Sequence, residues 1–210
     1  MNRQGAPLAV RAAGTHGLLV ETSGTAAVRR VTEWLRTSGF RPLLEDVVPG
    51  GSTVLVRASR GLGELAVALR ELSVEEDLPP GPCRTVEIPV VYRGEDLDEI
   101  CERTGVSRRR FVREHSGAVH TVAFFGFTPG FPYILGVPEA LHVPRRATPR
   151  TRVPGGSVAI ANGSTVVYPG GTPGGWNLIG RTSFPPLWDI EREPPNLLSV
   201  GDRVIFREVR

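Results

Sequence analysis

Lysine is absent from this chain: all 25 cations among its 210 residues are arginine. A basic tail or patch usually mixes both cation types, so a total bias to arginine reads as codon bias. The arginines are interspersed with 22 carboxylates, and the net charge is only +3. That describes a mixed, solvated surface. Nucleic-acid binding would need clustered cations beside exposed aromatics. Without lysine there is also no GxxxxGK[ST] phosphate loop, so Walker-type ATP binding by this chain alone is not expected.

Cysteine is nearly absent too. Cys83 and Cys101 form no CxxC pair, and two thiols cannot make a disulfide scaffold or a thiolate metal site. The four histidines follow no metal-ligand spacing, so no metal is expected. No run of 18 apolar residues exists, which excludes a membrane-spanning helix. Met1 to Val10 lacks the apolar stretch of a secretory leader, so the expected compartment is the cytoplasm. No nucleophile elbow appears, which leaves Ser/His/Asp catalysis unsupported.

What is present is hydrophobic content of 40%, enough for a full core, and an uneven supply of proline. Seven of the 19 prolines precede residue 128 and twelve follow from Pro129 onward. Proline removes a donor and clashes inside helices, so the second half should be rich in turns. The first part alternates signals. Gly17–Glu21 predicts a strand, and Thr25–Ser38 a helix through Ala27, Val28, Val31, Trp34 and Leu35. Residues 42–48 and 53–57 predict two strands, and 63–72 a second helix. That order is α+β. Pro79-Pro80-Gly81-Pro82 makes a stiff connector. The expected division is a small α+β domain at 1–78, a linker at 79–84 and a mainly-β domain at 85–210.

The second part opens with a strand at 85–92 and a short helix at 96–104, with Asp96 read as its N-cap. A helix at 108–115 follows behind the N-cap Ser107. Short apolar runs at 119–125, 157–161, 165–168, 177–181 and 203–209 then predict strands. Many short strands between Gly/Pro turns point to a closed or sandwiched β structure.

Several ordered segments are not generic. They are Phe125-Gly126-Phe127-Thr128-Pro129-Gly130-Phe131-Pro132-Tyr133, then Pro144-Arg145-Arg146-Ala147-Thr148-Pro149-Arg150 leading into Val153-Pro154-Gly155-Gly156-Ser157-Val158. Tyr168-Pro169 and Thr172-Pro173-Gly174-Gly175-Trp176-Asn177-Leu178-Ile179-Gly180-Arg181-Thr182 follow, and Gly201-Asp202-Arg203-Val204 closes the set. In this order they resemble the family of B-type subunits of bacterial 5-oxoprolinase, which includes the Kip-type histidine-kinase inhibitors and sequences described as allophanate hydrolase subunit 1. The resemblance covers about 120 residues of the C-terminal part well and the N-terminal part loosely. It implies a cyclophilin-like β-barrel behind a small α+β domain. It also implies ATP-dependent opening of 5-oxoproline to glutamate, with ATP handled at the level of a complex. The implied partners are an A-type subunit and a cyclophilin-like C-type subunit, or a sensor histidine kinase on the inhibitor reading.

One segment departs from the family pattern. A glutamine is replaced by Ser164 and a glycine by Val166. Serine reaches less far than glutamine and carries no amide. If residues 161–166 form a loop holding a substrate amide, the substrate differs or activity is weakened.

The candidate site residues follow. Arg146 and Arg150 lie in a run of four arginines between prolines, suited to bidentate carboxylate or phosphate binding; a solvated loop is the alternative. Gly126, Phe127, Pro129, Gly130 and Phe131 form a loop in which glycine lets backbone approach a ligand, against a plain barrel turn. Gly174, Gly175 and Trp176 make a second such loop, against a core tryptophan. Ser164 and Tyr168 complete the expected substrate contacts. His115 is the acid/base candidate, because its ordinary pKa lies near neutrality. The alternative for it is a helix-terminal histidine.

Overall fold

The computed structural model describes residues 8–72 and 84–210. The chain divides into two compact units, residues 1–81 and 82–210. Residues 79–83 of the expected connector lie outside the described residues, as does Cys83.

The first unit holds β1 (Ala9–Ala12), β2 (Gly17–Glu21), α1 (Thr25–Thr37), β3 (Leu44–Pro49), β4 (Thr53–Ala58) and α2 (Leu62–Glu71). Its sheet runs β1-β2-β4-β3, antiparallel throughout. Val28, Val31 and Leu35 of α1 and Leu65 and Leu69 of α2 share one core with Val20, Val54 and Val56. Those alternate positions on β2 and β4 point to a single sheet face. The strand predicted from residue 42 begins two residues later, because Arg41–Leu43 forms a 3-10 turn carrying Pro42.

The second unit holds β5 (Thr85–Val90), α3 (Leu97–Thr104), α4 (Arg108–Gly117), β6 (His120–Phe125), β7 (Pro132–Leu135), β8 (Arg150–Val153), β9 (Ser157–Ala161), β10 (Ser164–Val167), β11 (Thr172–Gly174), β12 (Asn177–Arg181) and β13 (Arg203–Glu208). Seven strands form one sheet, ordered β12-β9-β10-β7-β6-β13-β5. Its two outer strands meet. Val91 and Arg181 exchange backbone hydrogen bonds of 2.8 and 3.0 Å, which nearly closes the sheet into a barrel. Closure of this kind removes exposed edges. Ser107 caps α4 as predicted, accepting from the Arg110 N–H.

Alternation along β9 and β10 builds two cores from one sheet. Val158, Ile160 and Val167 join Ile88, Phe111, Val122, Ile134 and Phe206. Ala159, Ala161 and Val166 belong instead to a second cluster with Phe131, Val153, Tyr168, Trp176 and Leu178. Small side chains at 159 and 161 leave room for those aromatics. A two-stranded ribbon, β8 with β11, contributes Val153 to that cluster.

Candidate functional site

The site begins at a backbone crossing. Gly94 donates to the Ile179 carbonyl (3.1 Å), and the Asp96 N–H donates to the Leu178 carbonyl (3.1 Å). A Cβ on residue 94 would overlap the Leu178 carbonyl, so only glycine permits this approach. Asp96 therefore enters the protein beside β12. Its side chain makes no helix-cap hydrogen bond, which corrects the N-cap expectation. Leu178 is the reason: its N–H donates to Asp96 Oδ2 at 2.6 Å.

The other carboxylate oxygen gathers the two arginines singled out in the sequence. Arg146 Nη1 donates to Asp96 Oδ1 at 2.5 Å and Arg150 Nη2 donates to the same atom at 2.8 Å. Glu95 also accepts from Arg150 Nη2 at 3.2 Å, and Glu99 lies 3.6 Å from Arg146 Nη1. The hydrogen bond that Arg150 donates to Asp96 leads the causes that raise the Arg150 pKa above its ordinary value. The expected anion-binding pair is thus assembled, but its nearest anion is the chain's own Asp96. Arg146 Nε and Arg150 Nη1 remain enclosed without a protein acceptor.

Around this pair lies an aromatic wall. Arg145 sits over the Trp176 ring, 5.5 Å from its centroid. Trp176 meets Tyr133 and Phe131 edge-on at 5.7 and 6.1 Å, and Phe131 meets Tyr168 edge-on at 5.3 Å. Tyr168 is 1% exposed. Burial, the leading cause, raises its pKa; the Trp176 backbone and the charges of Arg145 and Arg150 oppose the rise. The Trp176 backbone approaches the Tyr168 Oη, and no group accepts a hydrogen bond from that hydroxyl. Gly174 lies against that hydroxyl, where a Cβ would overlap it.

The 126–130 segment is a tight turn joining β6 and β7. Gly126 donates to the Phe131 carbonyl at 3.2 Å, and Phe131 donates back to Thr128 at 3.1 Å. Phe127 has φ 70 and is 63% exposed, a left-handed conformation costly for a bulky residue. It touches Phe131 edge-on at 5.3 Å. Pro129 is exposed, and Gly130 is buried against Trp188.

Residues 161–166 form a β-hairpin, not a loop. Asn162 and Gly163 (φ 49 and 76) make the two-residue turn between β9 and β10. Ser164 is buried opposite Ala161 and Leu135. Ser164 and Val166 alternate along the strand toward Tyr168, and Val166 packs in the same aromatic cluster. The departures from the family pattern therefore alter the floor beneath that wall.

His115 lies elsewhere, inside the barrel core. It is fully buried: Tyr92 Oη is 2.8 Å from its Nδ1 and Thr165 Oγ1 is 2.9 Å from its Nε2. His120 Nε2 reaches the His115 carbonyl at 3.0 Å. Burial, and then the neighbouring His120, push the His115 pKa well below the ordinary range. With both ring nitrogens engaged and no solvent access, His115 is placed to brace α4 against β10. It is not placed to exchange protons with a substrate. Sequence reasoning missed the roles of Asp96 and Tyr92, because a carboxylate before a helix reads as a cap and a tyrosine ending a strand reads as core.

Among the described residues, no three of His, Cys, Asp and Glu converge as metal ligands. No helix there is long and apolar enough to cross a membrane. A cavity of about 250 Å³ opens on another flank of Tyr168, lined by Gly155, Gly156, Pro169, Thr182, Phe184 and Leu187 among others.

Comparison with known proteins follows the same lines. The family model for the carboxyltransferase domain, subdomain C and D, matches residues 8–198. The B-type subunit of 5-oxoprolinase from Escherichia coli O157:H7 is 44% identical over 171 residues, covering 79% of this chain and 78% of that protein. The Haemophilus influenzae protein of the same name is 44% identical over 145 residues, 68% of each chain. Among solved structures, TTHA0988 matches with a TM-score of 0.75 at 36% identity, covering 96% of this chain but 40% of that one. This chain thus corresponds to less than half of TTHA0988. PH0987 from Pyrococcus horikoshii matches over 96% of this chain and 97% of its own, at 27% identity and a TM-score of 0.57. The urea amidolyase of K. lactis, at 18% identity and a TM-score of 0.70, shares the fold.

Proposed function

The chain belongs to the family of B-type 5-oxoprolinase subunits, within the carboxyltransferase domains of subdomain C and D type, and from that premise we propose that it serves an ATP-dependent 5-oxoprolinase. The observation that carries this reading is the 44% identity to the Escherichia coli B-type protein across 79% of the chain. The reaction is hydrolysis of 5-oxoproline to glutamate. On the same reading the nearly closed sheet is a cyclophilin-like barrel, the chain acts with A-type and C-type subunits, and it works in the cytoplasm.

A lactam is an unactivated amide that water attacks poorly, and coupling to ATP at the level of the assembled complex supplies the activation. This chain's residues bind and orient. Arg146 and Arg150 hold negative charge, where fixed donors in an enclosed site act strongly. Phe131, Tyr168 and Trp176 wall the substrate, with the 126–130 and 174–176 turns at the rim and Ser164 below. His115 keeps the strand that leads to Tyr168 in register with α4.

The altered hairpin at Ser164 and Val166 favours one second reading, a Kip-type protein that binds a sensor histidine kinase without turnover. The deciding experiment couples ATP hydrolysis to glutamate release from 5-oxoproline, using this chain with the A- and C-type subunits of its own genome. Glutamate formation should vanish when this chain is omitted and fall at least tenfold in Arg150→Ala. A stable complex without turnover would overturn the enzyme reading and leave the regulatory one.

A further inference from the structure

The two barest large apolar side chains among the described residues are Ile190, 75% exposed, and Phe127, 63% exposed. They sit on neighbouring loops of the second unit. Gly130 ends the turn that carries Phe127, and a Cβ there would overlap Trp188, two residues before Ile190. Chain connectivity therefore keeps the Cα atoms of Phe127 and Ile190 within about 25 Å of each other. A standard protein interface covers about 800 Å² on each partner, a disc about 30 Å across. One interface can cover both side chains.

Both loops are braced from within. The Thr128 N–H donates to the Gly126 carbonyl at 2.9 Å. In the other loop, the Leu197 N–H donates to the Leu187 carbonyl at 2.8 Å and the Asp189 N–H to the Pro195 carbonyl at 3.0 Å. Arg192 fills its middle, donating to the carbonyls of Pro186, Leu187 and Pro195. Side chains displayed on such loops lose little freedom when a partner covers them. Phe127 is also displayed at a cost, because its φ of 70 suits glycine and strains any bulkier residue. Within the chain its ring gains one edge contact, with Phe131. An exposed ring kept under strain for so little internal packing fits a use outside the chain.

Charge narrows the occupant. Asp189, Glu191 and Glu193 are exposed around Ile190, and Arg192 between them is engaged with backbone carbonyls. This corner is therefore acidic on a chain whose net charge is +3. Two copies meeting through the same patch would set these acids against each other. The complementary occupant is a different protein, with an apolar socket rimmed by cations. This chain corresponds to 40% of TTHA0988, so in that protein the fold shares one polypeptide with a further, longer segment.

We propose that Phe127 and Ile190 anchor a docking surface for the protein that corresponds to the remaining length of TTHA0988, with Asp189, Glu191 and Glu193 meeting cations at its rim. The choice of partner rests on the 5-oxoprolinase reading, on which that protein is the C-type subunit.

The test is calorimetric titration of the full chain with that protein from its own genome. Phe127→Gly and Ile190→Ser should each weaken the complex tenfold or more, with the thermal midpoint of the free chain unchanged or higher. Val119→Ser is the control: Val119 is 58% exposed but lies at the opposite end of β6 from the 126–130 turn, and its loss should leave the affinity unchanged. Glu191→Gln combined with Glu193→Gln should slow association at least threefold at low salt, and the difference should vanish at high salt. The surface is overturned by the absence of any complex, by full affinity in Phe127→Gly and Ile190→Ser, by an equal loss in Val119→Ser, or by losses that track a lowered midpoint. Self-association of the free chain that Phe127→Gly abolishes would overturn it as well, because the occupant would then be a second copy. The two readings fail separately. Glutamate turnover by a complex indifferent to both apolar variants sinks the surface alone. A complex that depends on Phe127 and Ile190 yet releases no glutamate with the A-type subunit present sinks the enzyme reading alone.

Discussion

Asp96→Ala is the perturbation from which the structure predicts the largest stability loss at the site. The carboxylate accepts three hydrogen bonds, from the Leu178 N–H and from two guanidinium groups. Removing one partner of a buried ion pair costs about 3–5 kcal/mol, and an orphaned buried N–H about 1–3 kcal/mol. The arginine side chains keep 29% and 21% exposure, and Glu99 and Glu95 stand behind them. Water and those carboxylates take up part of the loss, so a total of about 3 kcal/mol is expected. The control is Asp98→Ala. Asp98 pairs with Arg108 at 3.0 Å but is 77% exposed, and such pairs contribute about 0–1 kcal/mol. Urea denaturation separates the two. With a slope of about 2 kcal/mol per molar, Asp96→Ala should lower the midpoint of the second unit by about 1.5 M, against less than about 0.5 M for the control. Equal shifts in the two variants would refute the idea that Asp96 organises the arginines.

Acid should unfold the second unit through its histidines. The folded pKa values of His115 and His120 are depressed, chiefly by burial. The neutral forms therefore stabilise the fold above the ordinary value near 6.5. That stability is lost as pH falls below about 6.5 toward the depressed values, at up to about 1.4 kcal/mol per pH unit for each histidine. Urea midpoints between pH 7.5 and 5 should show this slope, and His120→Gln should reduce it; an unchanged slope contradicts the assignment. Phe127→Gly removes the left-handed strain of an exposed side chain, so the thermal midpoint should rise by an amount equivalent to up to about 1 kcal/mol. A clear fall would show that Phe127 packs against more than Phe131. Gly94→Ala should destabilise by more than about 2 kcal/mol and weaken 5-oxoproline binding together, because the crossing at Leu178 sets both; a stable, fully binding variant would show that the backbone yields there.

Legibility in the sequence followed the strength of local signals. Strands with alternating or β-branched residues, such as 17–21, 157–161 and 177–181, stand at the predicted positions, and α4 begins behind Ser107 as expected. Four strands escaped. β1 holds small and charged residues, and β7 opens on Pro132, a residue tolerated at a strand's first position. β8 alternates arginine with threonine and valine, and β11 is Thr-Pro-Gly. β1 and β7 gain their strand state by pairing with β2 and β6, and β8 and β11 by pairing with each other across the intervening β9–β10 hairpin, none of which their own residue patterns carry. The arginine loop was legible because guanidinium groups between prolines are unusual. Its anchor was not, because only the tertiary crossing of Gly94 over β12 turns Asp96 from a cap into a hub. His115 drew attention for its titration range, and burial removed that range.

The position of β13 bears on how the protein is made. Residues 203–208 lie between β5 and β6, running parallel to β5 with Thr85 opposite Arg203. A ribosome delivers β5 and β6 long before their common neighbour. Until β13 arrives, both present unpaired edges, and the hydrophobic interior has no seal. Loop closure over such a span is slow, and waiting edges invite pairing with other chains. Yield in the cell should therefore depend on whatever shelters β5 and β6 during synthesis, and a tag or truncation that delays residues 203–208 should lower soluble yield more than one at the other end of the chain.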